Sequence, residues 1–358
     1  MRVLMISLDR GLLGDGFSGD VVARHKRYAD LAGHLDVIVF AGAEYERRDW
    51  AANLKAIPTR SRKRFHFQTA VKVALELTKR APYDLLVTQD LAAPAGVEIK
   101  KVLRIPWIVN IHGMFFSPEW LKLKPANWYL FYLVKKAIKS ADAFRVNNQA
   151  IARKLVEWRM DRPILVQPTP IDVKEFFVSK IQNPVPKILF VGRLEKEKNV
   201  GMLVRAVKNL KEDFRLEIVG EGSEQTRLLE LARGDGRIKF LGPKKYEDLP
   251  ELYRQADIFV LPSNTESFGQ VLVQAAAAGC AIIATKTTGA MSIIQDQESG
   301  ILVEVGDQMA LTKALARLIT DAELRQSLGA KARLVASRFD SEKGIIKTVD
   351  FWQEIAGK

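Results

Sequence analysis

Residues 188–210 read Ile-Leu-Phe-Val-Gly-Arg-Leu-Glu-Lys-Glu-Lys-Asn-Val-Gly-Met-Leu-Val-Arg-Ala-Val-Lys-Asn-Leu. The stretch opens with a short apolar run, Ile188–Val191, which predicts a strand that is buried on both faces. A charged loop follows, and the pattern over Asn199–Leu210 is typical of an amphipathic helix. A strand, a loop and a helix in this order form the repeating unit of a parallel α/β domain.

The same alternation of strand and helix continues on both sides of this stretch. Further helical patterns cover Glu224–Arg233 and Gln308–Thr320. The predicted fold class is therefore α/β, with two Rossmann-like domains that face each other across a cleft lined by the carboxyl ends of their strands. The predicted strands are Val3–Leu8, Leu35–Phe40, Leu85–Thr88, Trp107–Ile111 and Ala143–Val146 in the first half, and Ile188–Val191, Leu216–Val219, Ile238–Leu241, Ile258–Leu261 and Ala281–Ala284 in the second.

Prolines mark the boundary between the two predicted domains. Pro168 and Pro170 lie close together, and Pro184 and Pro186 directly precede the first strand of the second half. A chain of 358 residues is long enough for two domains of ordinary size. We expect an acceptor domain over residues 1–168, a connector over 169–186, a donor domain over 187–340, and a terminal helix over 341–358 that packs back on the first domain.

The composition indicates a globular protein, with 47% hydrophobic and 27% charged residues. Apolar runs stay shorter than the roughly 20 residues that span a bilayer. The first predicted strand leaves no room for a signal peptide ahead of it, so we expect a cytoplasmic protein, placed at the inner face of the membrane. The single cysteine, Cys280, excludes an intrachain disulfide and a cysteine-rich zinc site, and its surroundings favour a small buried residue.

The net charge of +13 belongs almost wholly to the first half of the chain. Residues 1–168 carry 28 Lys and Arg against 16 Asp and Glu. The densest basic stretch comprises Arg60, Arg62, Lys63 and Arg64, and it is either a solvated loop or a contact with an anionic membrane. The aromatic helix predicted over 126–139 is likewise either membrane-facing or part of the core. We expect no nucleic-acid partner, because no helix-turn-helix or RNA-binding signature is present.

Two sets of residues in the second half suit binding of an anion. Arg193 follows Gly192 at the end of a strand, and Lys198 directly precedes a helix, which together suit a diphosphate. The other set is the segment Leu261–Gln274, in which we predict a helix beginning around Ser267. The alternative is that Arg193 and Lys198 are ordinary exposed charges.

In the second set, Glu266 lies at the predicted helix start, and the amides of Phe268, Gly269 and Gln270 are free to face an anion. Gln274 lies about 12 Å further along the helix, a separation that suits two ends of one elongated ligand. The alternative is that Glu266 is a capping carboxylate and Gln274 a satisfied polar group.

Several segments together resemble the retaining family-4 (group 1) glycosyltransferases of the GT-B fold. In the second half, these are Phe190–Arg193 with Lys198, Val219–Gly222, Phe240–Gly242, Ala256–Ser263, Glu266–Gly269 and Gly300 with Val305–Asp307. In the first half, Gly16–Gly19 looks like the glycine loop of this family, and Asn110–Gly113 looks like the strand end that carries its cleft histidine, here His112.

The resemblance implies a nucleoside-diphosphate sugar as donor and transfer with retention of configuration. Arg193 and Lys198 would neutralise the diphosphate in place of a metal ion, so no cofactor is expected. Glu266 would hold the sugar hydroxyls, and His112 would act from the other domain. The donor-binding residues implied are Gly16, Gly19, Gly192, Gly220, Phe268, Gly269, Gln270, Val271 and Gln274. The basic surface suggests a glycan or lipid-linked acceptor of the cell envelope.

The chain departs from the family pattern at three positions. Gln274 stands where the family has a glutamate that binds the ribose, Ile293 aligns with a second glutamate, and Pro170 replaces a glycine. We therefore expect weaker or altered nucleotide binding. Two alternative functions remain, a non-catalytic module that binds a sugar nucleotide or a partner and a nucleotide-sugar epimerase. A dehydrogenase is disfavoured, because Gly14–Gly19 lacks the dinucleotide fingerprint.

Overall fold

The computed structural model describes residues 1–14, 20–112, 115–116, 118–181, 183–339 and 341–357. Contacts within the chain divide it into two units. The first unit comprises Met1–Pro170 together with Ser341–Lys358, and the second comprises Ile171–Asp340. Each unit is built around a parallel sheet with helices packed against it.

The first unit contains an eight-stranded sheet. In the sheet the strands lie in the order β3-β4-β2-β1-β5-β6-β7-β8, and every pairing is parallel except that of β3 with β4. The strands are β1 (Arg2–Ser7), β2 (His34–Val39), β3 (Arg48–Ala51), β4 (Leu54–Pro58), β5 (Leu85–Gln89), β6 (Trp107–Ile111), β7 (Ala143–Val146) and β8 (Ile164–Val166).

The second unit contains a six-stranded, all-parallel sheet. Its order is β11-β10-β9-β12-β13-β14. The strands are β9 (Lys187–Val191), β10 (Arg215–Val219), β11 (Ile238–Gly242), β12 (Ile258–Leu261), β13 (Ala281–Thr285) and β14 (Ile301–Val303).

Helices join the strands in both units. Those of the first unit are α1 (Val21–Ala32), α2 (His66–Thr78), α3 (Ala93–Leu103), α4 (Pro118–Leu123), α5 (Pro125–Ala137), α6 (Gln149–Glu157) and α14 (Ser341–Ala356). Those of the second unit are α7 (Val200–Lys208), α8 (Gln225–Ala232), α9 (Leu249–Gln255), α10 (Gln270–Ala277), α11 (Thr288–Ile293), α12 (Gln308–Thr320) and α13 (Ala322–Ala336). No helix in the described part of the chain is long and apolar enough to cross a membrane.

The helix α14 contributes to the core of the first unit, although it follows the second unit in the chain. It packs along α1, and Trp352 is fully buried with its ring 5.1 Å from that of Tyr28. At the other end of α14, Glu342 accepts hydrogen bonds from Nε and Nη2 of Arg27. An apolar side-chain cluster and a two-point ion pair therefore hold the two helices together.

The ten strands predicted from apolar runs are all present, each within a residue of its predicted bounds. Most of the connector predicted over residues 169–186 belongs to the second unit, which begins at Ile171. There, Ile171, Val173 and Phe176 are buried in its hydrophobic core. The predicted burial of Cys280 is confirmed, since the side chain is fully enclosed.

Candidate active site

In the second unit, the strand order reverses between β9 and β12. From β9 the chain winds outward through β10 to β11, and from β12 it winds the other way through β13 to β14. Such a switch point leaves a crevice at the carboxyl ends of the two central strands, because the helices that follow them lie on opposite faces of the sheet. The loops that follow β9 and β12 are therefore the natural place for a ligand.

Lys198 and Glu266 meet at this switch point. Lys198 ends the turn after β9, and its Nζ donates a hydrogen bond of 2.6 Å to Oε2 of Glu266, from the loop after β12. The two side chains are only 17% and 15% exposed, so solvent screens their attraction weakly. The structure thus brings together two of the residues predicted for the active site.

Asn264 connects the same two loops through their backbones. Its amide nitrogen donates to the carbonyl of Glu197 at 2.7 Å, and its side-chain nitrogen donates to the carbonyl of Lys196 at 3.2 Å. Its Oδ1 accepts from the side chain of Asn199 at 3.1 Å. Three hydrogen bonds of one residue therefore hold together the two loops that carry the ion pair.

The segment before α10 is positioned by Gly289 from the neighbouring helix α11. The amide of Gly289 donates to the carbonyl of Glu266 at 2.8 Å. A Cβ at Gly289 would lie 2.6 Å from the amide nitrogen of Phe268, closer than two such atoms can approach. The absence of a side chain at position 289 therefore allows α11 to support the loop that carries Glu266.

The predicted start of α10 around Ser267 is wrong. The helix begins at Gln270, and Gly269 precedes it with a left-handed φ of +86°. The turn at Gly269 delays the helix, since a left-handed residue cannot continue a right-handed helix. The amides of Gln270 and Val271 thus belong to the first turn of α10, whereas Phe268 lies ahead of it with a buried ring.

Arg193 is much more exposed than the Lys198–Glu266 pair. Its side chain is 71% exposed, and its Nη2 donates to Oε1 of Glu197 at 2.6 Å. An exposed ion pair within a loop contributes little to stability, which leaves the guanidinium available to exchange partners. A role for Arg193 at a diphosphate stays a prediction.

Gly192 and Gly220 directly follow the adjacent strands β9 and β10. Gly220 has a φ of +129°, and a Cβ there would overlap the carbonyl oxygen of Gly192. The absence of a side chain at Gly220 therefore lets the two strand ends approach each other closely. The predicted contact of both glycines with a donor is a separate matter and stays a prediction.

Gln274 is almost fully buried, at 4% exposure. Its Oε1 accepts a hydrogen bond of 3.2 Å from the hydroxyl of Tyr253, whose pKa is raised well above its usual value by burial. Ile293, aligned with a second glutamate of the family, is also buried in the apolar core. Two of the three positions that depart from the family pattern, 274 and 293, are therefore enclosed by protein.

In the first unit, the strand order reverses between β1 and β5, and polar residues collect at the carboxyl ends of the central strands. His112 follows β6, and its amide donates to Oδ1 of Asp90 at 2.9 Å. Its ring Nδ1 lies 3.3 Å from Oδ2 of the same carboxylate. On the other side of the ring, Nη1 of Arg145 donates to Nε2 at 3.1 Å.

Two more ionisable groups next to this cluster have shifted pKa values. Burial raises the pKa of Asp9, against the lowering effects of the Gly11 amide and of the charge of Arg24. Burial lowers the pKa of His25 to about 3, and the positive charge of Arg24 adds to that effect. Such shifts collect at functional sites, which supports this edge of the sheet as a candidate site.

The sequence analysis did not single out Asp9, Asp90 or Arg145. The only signal was position, since Asp9 directly follows a predicted strand, Asp90 lies two residues beyond the end of another, and Arg145 interrupts an apolar one. Gly16 and Gly19, the predicted glycine loop, lie outside the described residues. Within the described ranges, no group of three or more His, Cys, Asp or Glu side chains is placed to hold a metal ion.

Comparison with known proteins identifies the family of both units. The sequence model described as Glycosyl transferases group 1 matches residues 172–335. The model described as Glycosyltransferase Family 4 matches residues 20–175. The two matches together cover nearly the whole chain, and they divide it close to the boundary between the units.

Curated relatives include several glycosyltransferases. A D-inositol 3-phosphate glycosyltransferase of Corynebacterium jeikeium is 36% identical over 297 residues, 72% of this chain and 69% of the relative. The same enzyme of Salinispora tropica is 34% identical over 182 residues, 47% of this chain, and the match spans only 38% of the length of that relative.

A transferase whose name includes a diphospho-undecaprenol substrate also matches part of the chain. The N-acetylgalactosamine-N,N'-diacetylbacillosaminyl-diphospho-undecaprenol 4-alpha-N-acetylgalactosaminyltransferase of Campylobacter jejuni is 35% identical over 161 residues, 44% of this chain and 43% of the relative.

Solved structures share the fold over the full length of the chain. Sucrose-phosphate synthase from Thermosynechococcus elongatus superposes with a TM-score of 0.86 at 18% identity, covering 99% of both chains. Anabaena HepE in complex with UDP gives a TM-score of 0.76 at 19% identity, covering 99% of this chain and 100% of that one. From its sequence models, its relatives and its fold, the chain belongs to the group 1 glycosyltransferases of family 4, which have the GT-B fold.

Proposed function

We propose that this protein transfers a glycosyl group from a nucleoside-diphosphate sugar to a glycan or lipid-linked acceptor, with retention of configuration and without a metal ion. The observation that carries the proposal is the Lys198–Glu266 pair at the switch point of the second sheet. It places a cation and a carboxylate side by side, next to the first turn of α10.

These groups suit the two ends of the bond that breaks. Lys198 supplies positive charge to a diphosphate as it departs, and the amides of Gln270 and Val271 supply aligned donors at the positive end of the helix dipole. Glu266 accepts hydrogen bonds from sugar hydroxyls while it keeps Lys198 in place. Arg193 moves from Glu197 to the diphosphate when the donor binds.

Similar proteins support a nucleotide-sugar donor. Anabaena HepE, which has the same fold, was solved with UDP and with UDP-glucose. The Campylobacter relative acts on a diphospho-undecaprenol-linked glycan, as its name states. We extend both properties to this chain as parts of the proposal, with uridine diphosphate as the first nucleotide to test.

The first experiment measures thermal stability with UDP, GDP and ADP and their glucose conjugates, in buffer that contains EDTA. A ligand that binds only the folded state at about 100 times its dissociation constant stabilises by about 2.7 kcal/mol. We expect one nucleotide to raise the melting temperature of the wild type and of Lys196→Ala, an exposed lysine of the same turn, but not of Lys198→Ala or Arg193→Ala. Equal shifts in all four proteins would contradict the proposed site.

Turnover and stereochemistry need a separate measurement. With a donor found in the binding experiment, proton NMR of the product reports the anomeric configuration through its coupling constant. We expect the configuration of the donor to be kept, and the rate to be unchanged by EDTA. Binding without turnover on any acceptor would favour the non-catalytic module, and interconversion of the free donor would favour the epimerase.

For the acceptor, we propose that the first unit works at an anionic membrane. In α5, Trp128, Tyr129 and Tyr132 are 57%, 65% and 60% exposed and lie on neighbouring turns. The surrounding segment, residues 120–141, contains five lysines and no acidic residue. Aromatic rings with lysines at their margin suit the interface of a negatively charged bilayer.

The predicted basic stretch adds less to this surface than its composition suggests. Arg60 forms an ion pair with Glu46 at 3.1 Å, and the guanidinium of Arg64 lies over the ring of Phe65. Arg62 and Lys63 are exposed. We therefore propose α5 as the main contact with lipid, and the basic stretch as a secondary one.

Sedimentation with vesicles of mixed neutral and anionic phospholipid tests both contacts. We expect a triple substitution of Trp128, Tyr129 and Tyr132 by alanine to abolish binding, and charge reversal of Arg62 and Lys63 to weaken it. The matched control replaces Met309 and Leu334, apolar residues of the second unit that are even more exposed, by alanine. If the control and the α5 variant sediment alike, α5 is not the lipid contact.

A further inference from the structure

His112 lies between a carboxylate and a guanidinium, and both of its ring nitrogens have a partner. Arg145 approaches Nε2, and a guanidinium has only hydrogens to offer, so Nε2 accepts. The hydrogen of the neutral ring is then on Nδ1, from which it points to Oδ2 of Asp90. The contacts on the two sides of the ring thus select the same tautomer.

Arg145 is an unusual residue for its position in the sheet. It lies in β7 between the buried residues Phe144 and Val146, and it is itself only 3% exposed. Burial lowers its pKa, which reflects the cost of enclosing its charge. Its buried Nε has no hydrogen-bond partner among the described residues. The position of the guanidinium therefore does not satisfy all of its own donors.

The same guanidinium joins His112 to the end of the first unit. Its Nη2 donates to the carbonyl of Pro168 at 2.9 Å. A parallel connection runs through Asn147, which donates to the carbonyl of His112 at 3.2 Å and accepts from the hydroxyl of Thr169 at 3.1 Å. The ring and the backbone of His112 are therefore both tied to residues 168–169.

We propose that Arg145 is a positioning residue, which holds His112 in one ring orientation as the Nδ1–H tautomer and fixes that ring to the Pro168–Thr169 segment. The inference rests on the proposed function, because it assigns Arg145 to the site of His112. Asp90 completes the arrangement as acceptor for Nδ1–H. Among the described residues, Asp9, Arg24, His25 and Tyr28 are further ionisable groups that interact with this cluster.

Nitrogen NMR of the protein labelled with ¹⁵N-histidine tests the tautomer directly. The chain has four histidines, and His112→Gln assigns the signals of His112. In the wild type we expect a protonated Nδ1 and an unprotonated Nε2 for His112. A protonated Nε2 would overturn the proposal, and this result does not depend on whether a donor or an acceptor has been found.

Removal of Arg145 gives the second readout. In Arg145→Met we expect the His112 signals to move toward exchange between tautomers, while those of His34 and His66, which have other partners, stay in place. Arg145→Lys keeps a cation with donors and is expected to restore much of the wild-type pattern. Unchanged His112 signals in a folded Arg145→Met protein would overturn the proposal.

Kinetics separate positioning from stability. We expect Arg145→Met to lower kcat by about 10- to 100-fold, the order expected when a reacting geometry is displaced slightly. Arg145→Lys is expected to recover part of the rate, and Lys154→Met, an exposed cation on α6, to leave it unchanged. If Arg145→Met lowers the melting temperature but alters neither kcat nor the His112 signals, the role is structural and the proposal fails.

Discussion

Gln274 is only 4% exposed, and its side-chain carbonyl accepts a hydrogen bond from the hydroxyl of Tyr253. We predict that Gln274→Glu binds the donor nucleotide about five times more tightly. A charge-assisted bond to a ribose hydroxyl contributes about 1.5–3 kcal/mol, against about 0.5–1.5 for a neutral one. We also expect a lower melting temperature without ligand, because a buried carboxylate loses its hydration. Calorimetric titration with the nucleotide measures the first effect, and thermal unfolding measures the second.

The control for this prediction is Gln295→Glu, which makes the same chemical change at an exposed position. It should alter neither the dissociation constant nor the melting temperature. If Gln274→Glu leaves the dissociation constant unchanged as well, position 274 does not contact the ribose in this protein.

His25 makes the first unit sensitive to acid. Burial lowers its pKa to about 3 in the folded protein, whereas an unfolded chain has a histidine pKa of about 6.5. Between these values the unfolded state binds a proton that the folded state does not, so stability falls as the pH falls from about 6.5. We predict that the free energy of unfolding falls less steeply with decreasing pH in His25→Gln than in the wild type, as measured by urea unfolding at several pH values. Identical slopes in the two proteins would refute this role of His25.

At the residue scale, the sequence identified His112 but neither of its partners. A strand-end histidine is visible in a motif, whereas Asp90 and Arg145 reach it from β5 and β7, on either side of β6. Such neighbours depend on the register of three strands that are far apart in sequence. Both members of the Lys198–Glu266 pair could be named from the sequence, since each belongs to a recognisable motif.

At the scale of elements, α11 supports the loop before α10 only because Gly289 has no side chain. We predict that Gly289→Ala displaces residues 266–268 and lowers stability by about 1–3 kcal/mol, the usual cost of an added methyl group in a packed site. Nucleotide binding should weaken at the same time, because Glu266 moves with the loop. Thermal unfolding with and without nucleotide measures both effects.

Gly236→Ala is the matched control for this prediction. A Cβ there would meet nothing within 4 Å, and the backbone has no left-handed φ at that position. We expect it to behave like the wild type. A stable Gly289→Ala variant with full nucleotide binding would show that the loop tolerates the methyl group.

Most elements could be predicted because strands buried on both faces leave long apolar runs. Four strands were not predicted, and each has a physical reason. The strands β8 and β14 have three residues each, too few for a pattern. The strand β3 is a polar strand at the edge of the sheet, and β4 alternates buried and partly exposed residues around Lys55, so neither leaves a long apolar run. In α5, the apolar sequence did not reveal that Trp128, Tyr129 and Tyr132 face outward, because aromatic residues occur on nearly all sides of the helix.

At the scale of the whole molecule, the first unit depends on α14 for part of its core. We predict that Trp352→Ala destabilises this unit by about 3–5 kcal/mol, the cost of removing a fully buried aromatic side chain. Limited proteolysis should then cut within residues 1–170 at lower urea concentration. Ile346→Ala, at a position on the same helix that is 40% exposed, is expected to change this little. Equal protease resistance in the two variants would contradict the prediction.

The path of the chain through α14 has a consequence for synthesis on the ribosome. Residues 1–170 leave the exit tunnel first, yet Trp352 and its neighbours emerge only after the whole of Ile171–Asp340 has been translated. Until α14 is translated, the apolar surface of α1 that it covers stays exposed in the nascent first unit. The second unit, by contrast, already has every strand of its sheet. During that interval we expect the exposed apolar surface to attract chaperones that bind such surface, and slow translation of the residues before Ser341 to prolong the exposure.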